Sequence, residues 1–190
     1  MSRDRIERGL DALAQVAQAS KALSGKVAEV ASRYAEVLRG GGTLFFCGNG
    51  GSAADAQHIA AEYVVRYAAD RQPLAAAALT TDSSVLTAAG NDLGFEQIFA
   101  RQVEALCRPA DLLILHSTSG QSPNLLAAAK AARKRRVPTV AFLGKGGGAL
   151  ATLVDQAIIV PSDQTSLVQS VHLALEHLIV EWVESELRGR

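Results

Sequence analysis

The sequence predicts an α/β protein: a five-stranded parallel sheet flanked by helices, preceded by an N-terminal helical pair. Three observations carry this. Short apolar runs alternate with longer segments of helical period from residue 43 onward, the order that builds parallel sheets. The first 40 residues repeat their apolar positions only at helical spacing. Two strand-to-helix turns are rich in Gly, Ser, Thr and Asn, and in such sheets the ligand sits beyond those turns.

Residues 4–38 read as two amphipathic helices with a break near Ser24-Gly25, because Ile6, Leu10, Leu13 and Val16 recur at spacings of three and four. Gly40-Gly41-Gly42 closes the second helix. A strand is predicted from Thr43 to Cys47, then a glycine-rich turn, then an alanine-rich helix from Ala53 to about Tyr67. A second strand is expected from Leu74 to Leu79. Two short helices fill 83–106, interrupted by Gly90-Asn91-Asp92-Leu93-Gly94. The apolar run Leu112 to Leu115 centres a strand over 111–116, and a helix follows over 123–135. A strand from Pro138 to Leu143 and the loop Gly144 to Gly148 lead through a short helix to the last strand, Gln156 to Val160. Thr165 or Ser166 caps a long final helix that runs to about Leu187.

Size and composition bound the function. A chain of 190 residues suits one domain spanning 1–190, with residues 1–40 free to serve packing and oligomerisation. Hydrophobic residues at 48% and charged residues at 20% exclude a disordered chain. Lys+Arg and Asp+Glu balance at 19 each, so no polyanion-binding surface and no membrane attachment are expected. The one basic cluster, Lys130 with Arg133, Lys134, Arg135 and Arg136, closes a predicted helix and complements its dipole there. Cys47 and Cys107 form neither a disulfide framework nor a cysteine zinc site. No signal-type apolar core and no bilayer-length apolar stretch occur, so the expected location is the cytoplasm. Small side chains on the alanine-rich helices permit close helix approach. With the uncovered N-terminal pair, they predict a homo-oligomer.

The most informative stretch is 111–123. Its strand empties into Ser117, Thr118, Ser119, Gly120 and Ser122, with Ser122 at a helix N-cap position and Pro123 at the first helical position. Free N–H groups and the positive end of the helix dipole face such a loop, which makes it an anion cradle. An ordinary capped turn needs one hydroxyl, not four. No lysine or arginine lies within the loop, so the implied ligand is a phosphate held by neutral donors on a small molecule.

A similar strand–turn–helix unit precedes it. Cys47-Gly48-Asn49-Gly50-Gly51-Ser52 lets backbone approach a ligand, and Ser52 with Asp55 has capping-box spacing. The spacing is not that of the dinucleotide-binding fingerprint. His58 and Glu62, four apart, share one helix face and form either a metal-binding or a helix-stabilising pair; the nearby ligand-type turn favours the former. The final helix carries Gln169, His172, Glu176 and His177. His172 and Glu176 repeat the four-residue spacing, whereas Gln169 and His177 stand roughly 12 Å apart along a straight helix. Spacing does not choose between His172 and His177.

Cys-Gly-Asn-Gly-Gly-Ser-Ala-Ala-Asp-Ala-Gln-His at 47–58, Glu62, Arg66-Tyr67, Gly-Asn-Asp at 90–92 and Ser-Thr-Ser-Gly-Gln-Ser at 117–122 together resemble the phosphoheptose isomerases. These are SIS-fold, flavodoxin-like enzymes that convert sedoheptulose 7-phosphate to an aldoheptose 7-phosphate. The resemblance implies that Ser117, Thr118, Ser119 and Ser122 hold the phosphate. It implies that Asn49, Gly50, Gly51, Ser52, Glu62, Asn91, Asp92 and Gln169 contact the sugar. It further implies a zinc site of His58, Glu62, Gln169 and His177, with Glu62 as base, His177 as acid, and a tetramer with sites near subunit interfaces. Ser170 departs from the pattern, since these enzymes often carry Glu there. The rival reading is a non-catalytic SIS protein that binds a sugar phosphate or a replication-initiator partner; such proteins lack the pair matching Glu62 and His177.

Overall fold

A computed structural model of the protein describes residues 3–187. Its centre is a sheet of five parallel strands in the order β2-β1-β3-β4-β5. The strands are β1 Leu44–Gly48, β2 Ala76–Ala78, β3 Leu112–Ser117, β4 Thr139–Leu143 and β5 Gln156–Ile159. β1, β3 and β4 are buried along their whole length, which is why they read as unbroken apolar runs rather than alternating ones. β2 is shorter than the six residues predicted. It lies at the sheet edge with β1 as its one partner, and its alanines add little packing to hold a longer ladder.

Among the described residues, seven α-helices surround the sheet: α1 Arg3–Ala19, α2 Ser24–Arg39, α3 Gly51–Val64, α4 Ser83–Asp92, α5 Ala100–Leu106, α6 Pro123–Arg135 and α7 Thr165–Leu187. Successive side chains of a strand point to opposite faces, and the core divides accordingly. Leu44, Phe46, Leu112, Ile114, Val140 and Phe142 pack on one face against Tyr34 of α2, Ile59 and Tyr63 of α3, and Val180 of α7. Phe45, Cys47, Leu113, Leu115, Ala141 and Leu143 pack on the other against α5 and α6. α1 buries no residue, and its Ile6 and Leu10 stay 53% and 63% exposed. Among the described residues, no helix is long and apolar enough to cross a membrane.

Several local expectations need correction. The N-terminal break is a 3₁₀ turn over Ser20–Leu23, and Ser24-Gly25 begins α2 instead of separating two helices. α3 starts at Gly51 and ends at Val64, not 53–67. Gly50 (φ 54°) occupies its N-cap with no side-chain bond, so the Ser52–Asp55 capping box does not form. Gly90-Asn91-Asp92 does not interrupt the helix; α4 runs through it. Asp82 anchors α4 by accepting the Val85 N–H at 3.0 Å, and the chain turns only at Gly94, where φ is 90°.

Candidate functional site

The strand order reverses between β1 and β3: from β1 the chain crosses to β2 on one side, and β3 lies on the other. Crevices at such switch points, beyond the carboxyl ends of the strands, are where open α/β sheets bind ligands. Here the flanking loops are Asn49–Gly50 after β1 and Thr118–Ser122 after β3. They are tied together by a reciprocal amide pair. Asn49 Nδ2 donates to Asn124 Oδ1 at 2.9 Å, and Asn124 Nδ2 donates to Asn49 Oδ1 at 2.8 Å.

The hydroxyl loop is braced from within. Ser117 Oγ accepts the Gly120 N–H at 3.0 Å, and Ser119 Oγ accepts the Gln121 N–H at 3.2 Å. Ser122 holds the N-cap position of α6 but makes no side-chain cap bond, and Pro123 is the first helical residue. The Ser122 hydroxyl therefore stands at a helix N-terminus without serving that helix. Gly120 has φ 63°, and a Cβ on it would overlap the Gly147 carbonyl, so the loop is seated backbone to backbone on Gly144–Gly148. The Leu150 N–H donates to the Gly120 carbonyl at 3.0 Å and fixes that seat.

Other residues singled out from the sequence differ in setting. Ser52 is buried, and Gln169 Nε2 lies 3.4 Å from its Oγ, with the Gln169 amide packed over Gly51. Asn91 and Asp92 are exposed at the end of α4, where Asn91 Nδ2 donates to Asp92 Oδ1 at 2.7 Å.

α3 and α7 bring His58, Glu62 and His177 together, their ligand atoms all within 4.8 Å of one another. His58 Nε2 is the hub, at 3.2 Å from Glu62 Oε1 and 3.2 Å from His177 Nε2. The Tyr67 ring stacks on His177, with centroids 5.4 Å apart and planes 22° from parallel. Two imidazole nitrogens facing each other leave room for one shared proton or one cation. Neighbouring ligands on a tetrahedral zinc stand about 3.3 Å apart, given bonds of roughly 2.0–2.1 Å. The three side chains therefore fit a divalent metal. Gln169, on Ser52 and Gly51, is about two turns of α7 away from this group within the chain.

His172 has a different role. It is fully buried, with Nε2 donating to the Leu143 carbonyl at 3.0 Å and its ring set edge-on to Phe142. Burial pushes its pKa down to about 4, aided by the nearby His116 and only partly opposed by the Leu143 bond. Glu176 does not pair with His172 as the four-residue spacing suggested. It reaches across to His116 at the end of β3, Oε1 to Nε2 at 2.9 Å, both side chains wholly buried. Burial works against charge on His116, but Glu176 and, less strongly, Asp55 outweigh it and raise its pKa.

Sequence reasoning did not find this ion pair, the Asn49–Asn124 bridge, or the contact of Tyr67 with His177. A signal for the first existed: His116 interrupts an apolar strand, and Glu176 interrupts the apolar face of α7. Two opposite charges on two core-facing surfaces call for each other, because neither is stable there alone.

Comparison with known proteins gives one pattern. The SIS domain family model matches residues 10–144. A phosphoheptose isomerase of Roseiflexus sp. is 48% identical over 184 residues, covering 97% of this chain and 92% of the relative. Among solved structures, a phosphoheptose isomerase of Neisseria gonorrhoeae superposes with a TM-score of 0.92 at 38% identity, over 96% of this chain and 98% of that one. One of Francisella tularensis gives 0.94 at 34% identity, over 97% and 99%.

Proposed function

The chain belongs to the phosphoheptose isomerases of the SIS-domain family, and on that footing we propose that it interconverts sedoheptulose 7-phosphate and D-glycero-D-manno-heptose 7-phosphate through a cis-enediol. The observation that carries this reading is the His58–Glu62–His177 group. Its contacts of 3.2 Å join the helix that follows the β1 loop to α7. That combination supports an enzyme over a sugar-phosphate-binding or replication-initiator-associating module.

Ser117, Thr118, Ser119 and Ser122 hold the phosphate at the N-terminus of α6. Asn49, Gly50, Gly51, Ser52, Asn91, Asp92 and Gln169 contact the sugar. The remote phosphate contacts supply binding energy that orients the reacting carbons. Glu62 removes the proton from C1 of the ketose, and a proton is returned at C2. His177 carries protons between the oxygens on C1 and C2. His58, Glu62 and His177 would hold zinc, one ion per subunit. Gln169 can join that set only where a neighbouring subunit brings it close, since within one chain it lies roughly 12 Å along α7 from His177. When bound, zinc polarises the sugar carbonyl and stabilises developing negative charge. The base must be a Glu62 oxygen, and the acid a His177 nitrogen, that the metal does not hold.

The reading includes a homotetramer. Its support is α1, which fully buries no residue, together with Leu178 and Trp182 of α7, which are 57% and 42% exposed; residues 1–40 would serve that assembly. It also includes a cytoplasmic location, which suits the free buried thiols of Cys47 and Cys107.

The test is to incubate purified protein with sedoheptulose 7-phosphate, with and without chelator, and to follow the aldoheptose phosphate by NMR. Chelator-sensitive turnover is expected, and Glu62→Gln should abolish it while sugar-phosphate binding survives. No turnover after zinc is restored would reject the isomerase in favour of a binding module.

A further inference from the structure

The Arg66-Tyr67 segment belongs to the motif pattern but has no role in the reaction as described. It lies in the strap between α3 and β2, and that strap is held by one buried ion pair. Glu184, 2% exposed, accepts the backbone N–H groups of Tyr67 at 3.0 Å, Ala68 at 3.2 Å and Ala69 at 3.1 Å, together with Arg71 Nε at 2.9 Å. Burial alone would raise the Glu184 pKa. The four donors outweigh it and hold the carboxyl below its usual range, in the ionised form that accepts all four bonds.

Arg71 extends the clamp in the other direction. Its guanidinium donates to the carbonyls of Glu62 at 2.6 Å, Tyr63 at 2.8 Å and Gln72 at 3.1 Å. Glu62 and Tyr63 lie in the last turn of α3, where helix carbonyls lack partners and a cation is favoured by the dipole. Glu184 follows His177 by seven residues, two turns of α7, and so shares its face. One ion pair therefore joins the end of the helix bearing His58 and Glu62, the strap bearing Tyr67, and the helix bearing His177. Tyr67 is delivered onto the His177 ring at 5.4 Å.

We propose that Arg71 and Glu184 are positioning residues for the His58–Glu62–His177 group, and that they act by holding the Tyr67 ring against His177 so that its Nε2 stays aimed at His58 and Glu62. The clamp touches no reacting atom. It removes the swing of the imidazole, which is the freedom that separates three loosely neighbouring side chains from an ordered site. Groups that orient metal-binding side chains in this indirect way are typically worth about 10- to 100-fold in affinity or rate. The proposal rests on the reading of this group as the site of chemistry and metal binding.

The test uses the full-length protein and the variants Tyr67→Ala, Tyr67→Phe and Glu184→Gln. Zinc affinity is measured by competition with a chromophoric chelator, and kcat and KM with sedoheptulose 7-phosphate. Tyr67→Ala and Glu184→Gln should each weaken zinc binding and lower kcat by about tenfold or more, with KM changed less than about twofold, because the phosphate loop stands on β3. Tyr67→Phe keeps the stacked ring and should restore both. Tyr67→Ala leaves the ion pair in place, so it decides the matter even if Glu184→Gln fails to fold. Wild-type zinc affinity and kcat in Tyr67→Ala would overturn the clamp while leaving the isomerase standing. Absence of turnover in the wild type would instead overturn the isomerase, and the zinc titration would still judge the clamp.

Discussion

Replacing His172 by leucine separates a structural histidine from a working one. The imidazole is wholly buried and held neutral, with its pKa lowered from 6.5 to about 4. Between those values the unfolded chain binds a proton that the folded chain does not, so acidification favours unfolding. The gap of about 2.5 units, at about 1.4 kcal/mol each, amounts to roughly 3 kcal/mol lost by pH 4, of which about 2 kcal/mol is lost between pH 7 and pH 5. Leucine abolishes this dependence. It also removes the 3.0 Å bond to the Leu143 carbonyl, but that carbonyl still accepts the Val160 N–H at 2.8 Å. The cost at pH 7 should therefore be only about 1 kcal/mol. Urea unfolding should find His172→Leu about 1 kcal/mol less stable than wild type at pH 7 and about 1 kcal/mol more stable at pH 5. Turnover per folded molecule at pH 7 should change less than about twofold, whereas His177→Leu should abolish it. Parallel stability curves from pH 7 to pH 5 would refute the buried neutral imidazole. Loss of turnover in folded His172→Leu would refute the assignment of the acid to His177.

Gly120→Ala should cost at least about 1–2 kcal/mol from its left-handed φ alone. The added overlap with the Gly147 carbonyl should unseat the hydroxyl loop, read as a lower melting temperature and a raised KM for sugar phosphate. Breaking the His116–Glu176 pair by one substitution, His116→Leu or Glu176→Leu, should cost about 3–5 kcal/mol, while the double replacement should return near wild type. The raised His116 pKa means the pair's contribution is fully present below pH 6.5 and is lost as pH rises through the folded value. The coupling energy from a urea double-mutant cycle should thus be larger at pH 6 than at pH 9; equal values would deny the charge on His116. Ser119→Ala should mainly raise KM, and an unchanged KM would put the phosphate elsewhere.

How far the fold was legible depended on the range of the governing contacts. Leu112 to Leu115 marked β3 because a central parallel strand is apolar on both faces, and Ser122-Pro123 marked the start of α6 because the fixed φ of proline suits the first helical position. The edge strand was overdrawn at Leu74 to Leu79, since its length depends on one neighbour rather than on its own residues. Gly90-Asn91-Asp92 looked like a break, yet α4, anchored at its start by Asp82, runs on through it. In the candidate site, the loops and the His58–Glu62 pair were visible as spacing. The buried His116–Glu176 contact and the Glu184 clamp were not, because their partners stand far apart in the chain.

The sequence by itself determined the order of strands and helices, the hydroxyl loop after β3, the glycine turn after β1 and the shared helical face of His58 and Glu62. All of these follow from contacts within a few residues. Which histidine of α7 meets His58 was decided only by tertiary structure. His172 and His177 point about 140° apart around one helix, so both suit the helix equally well. The packing of α7 between β4 and α3 turns His172 onto the Leu143 carbonyl and His177 toward His58, because a helix lodged against two neighbours can present each face to only one of them.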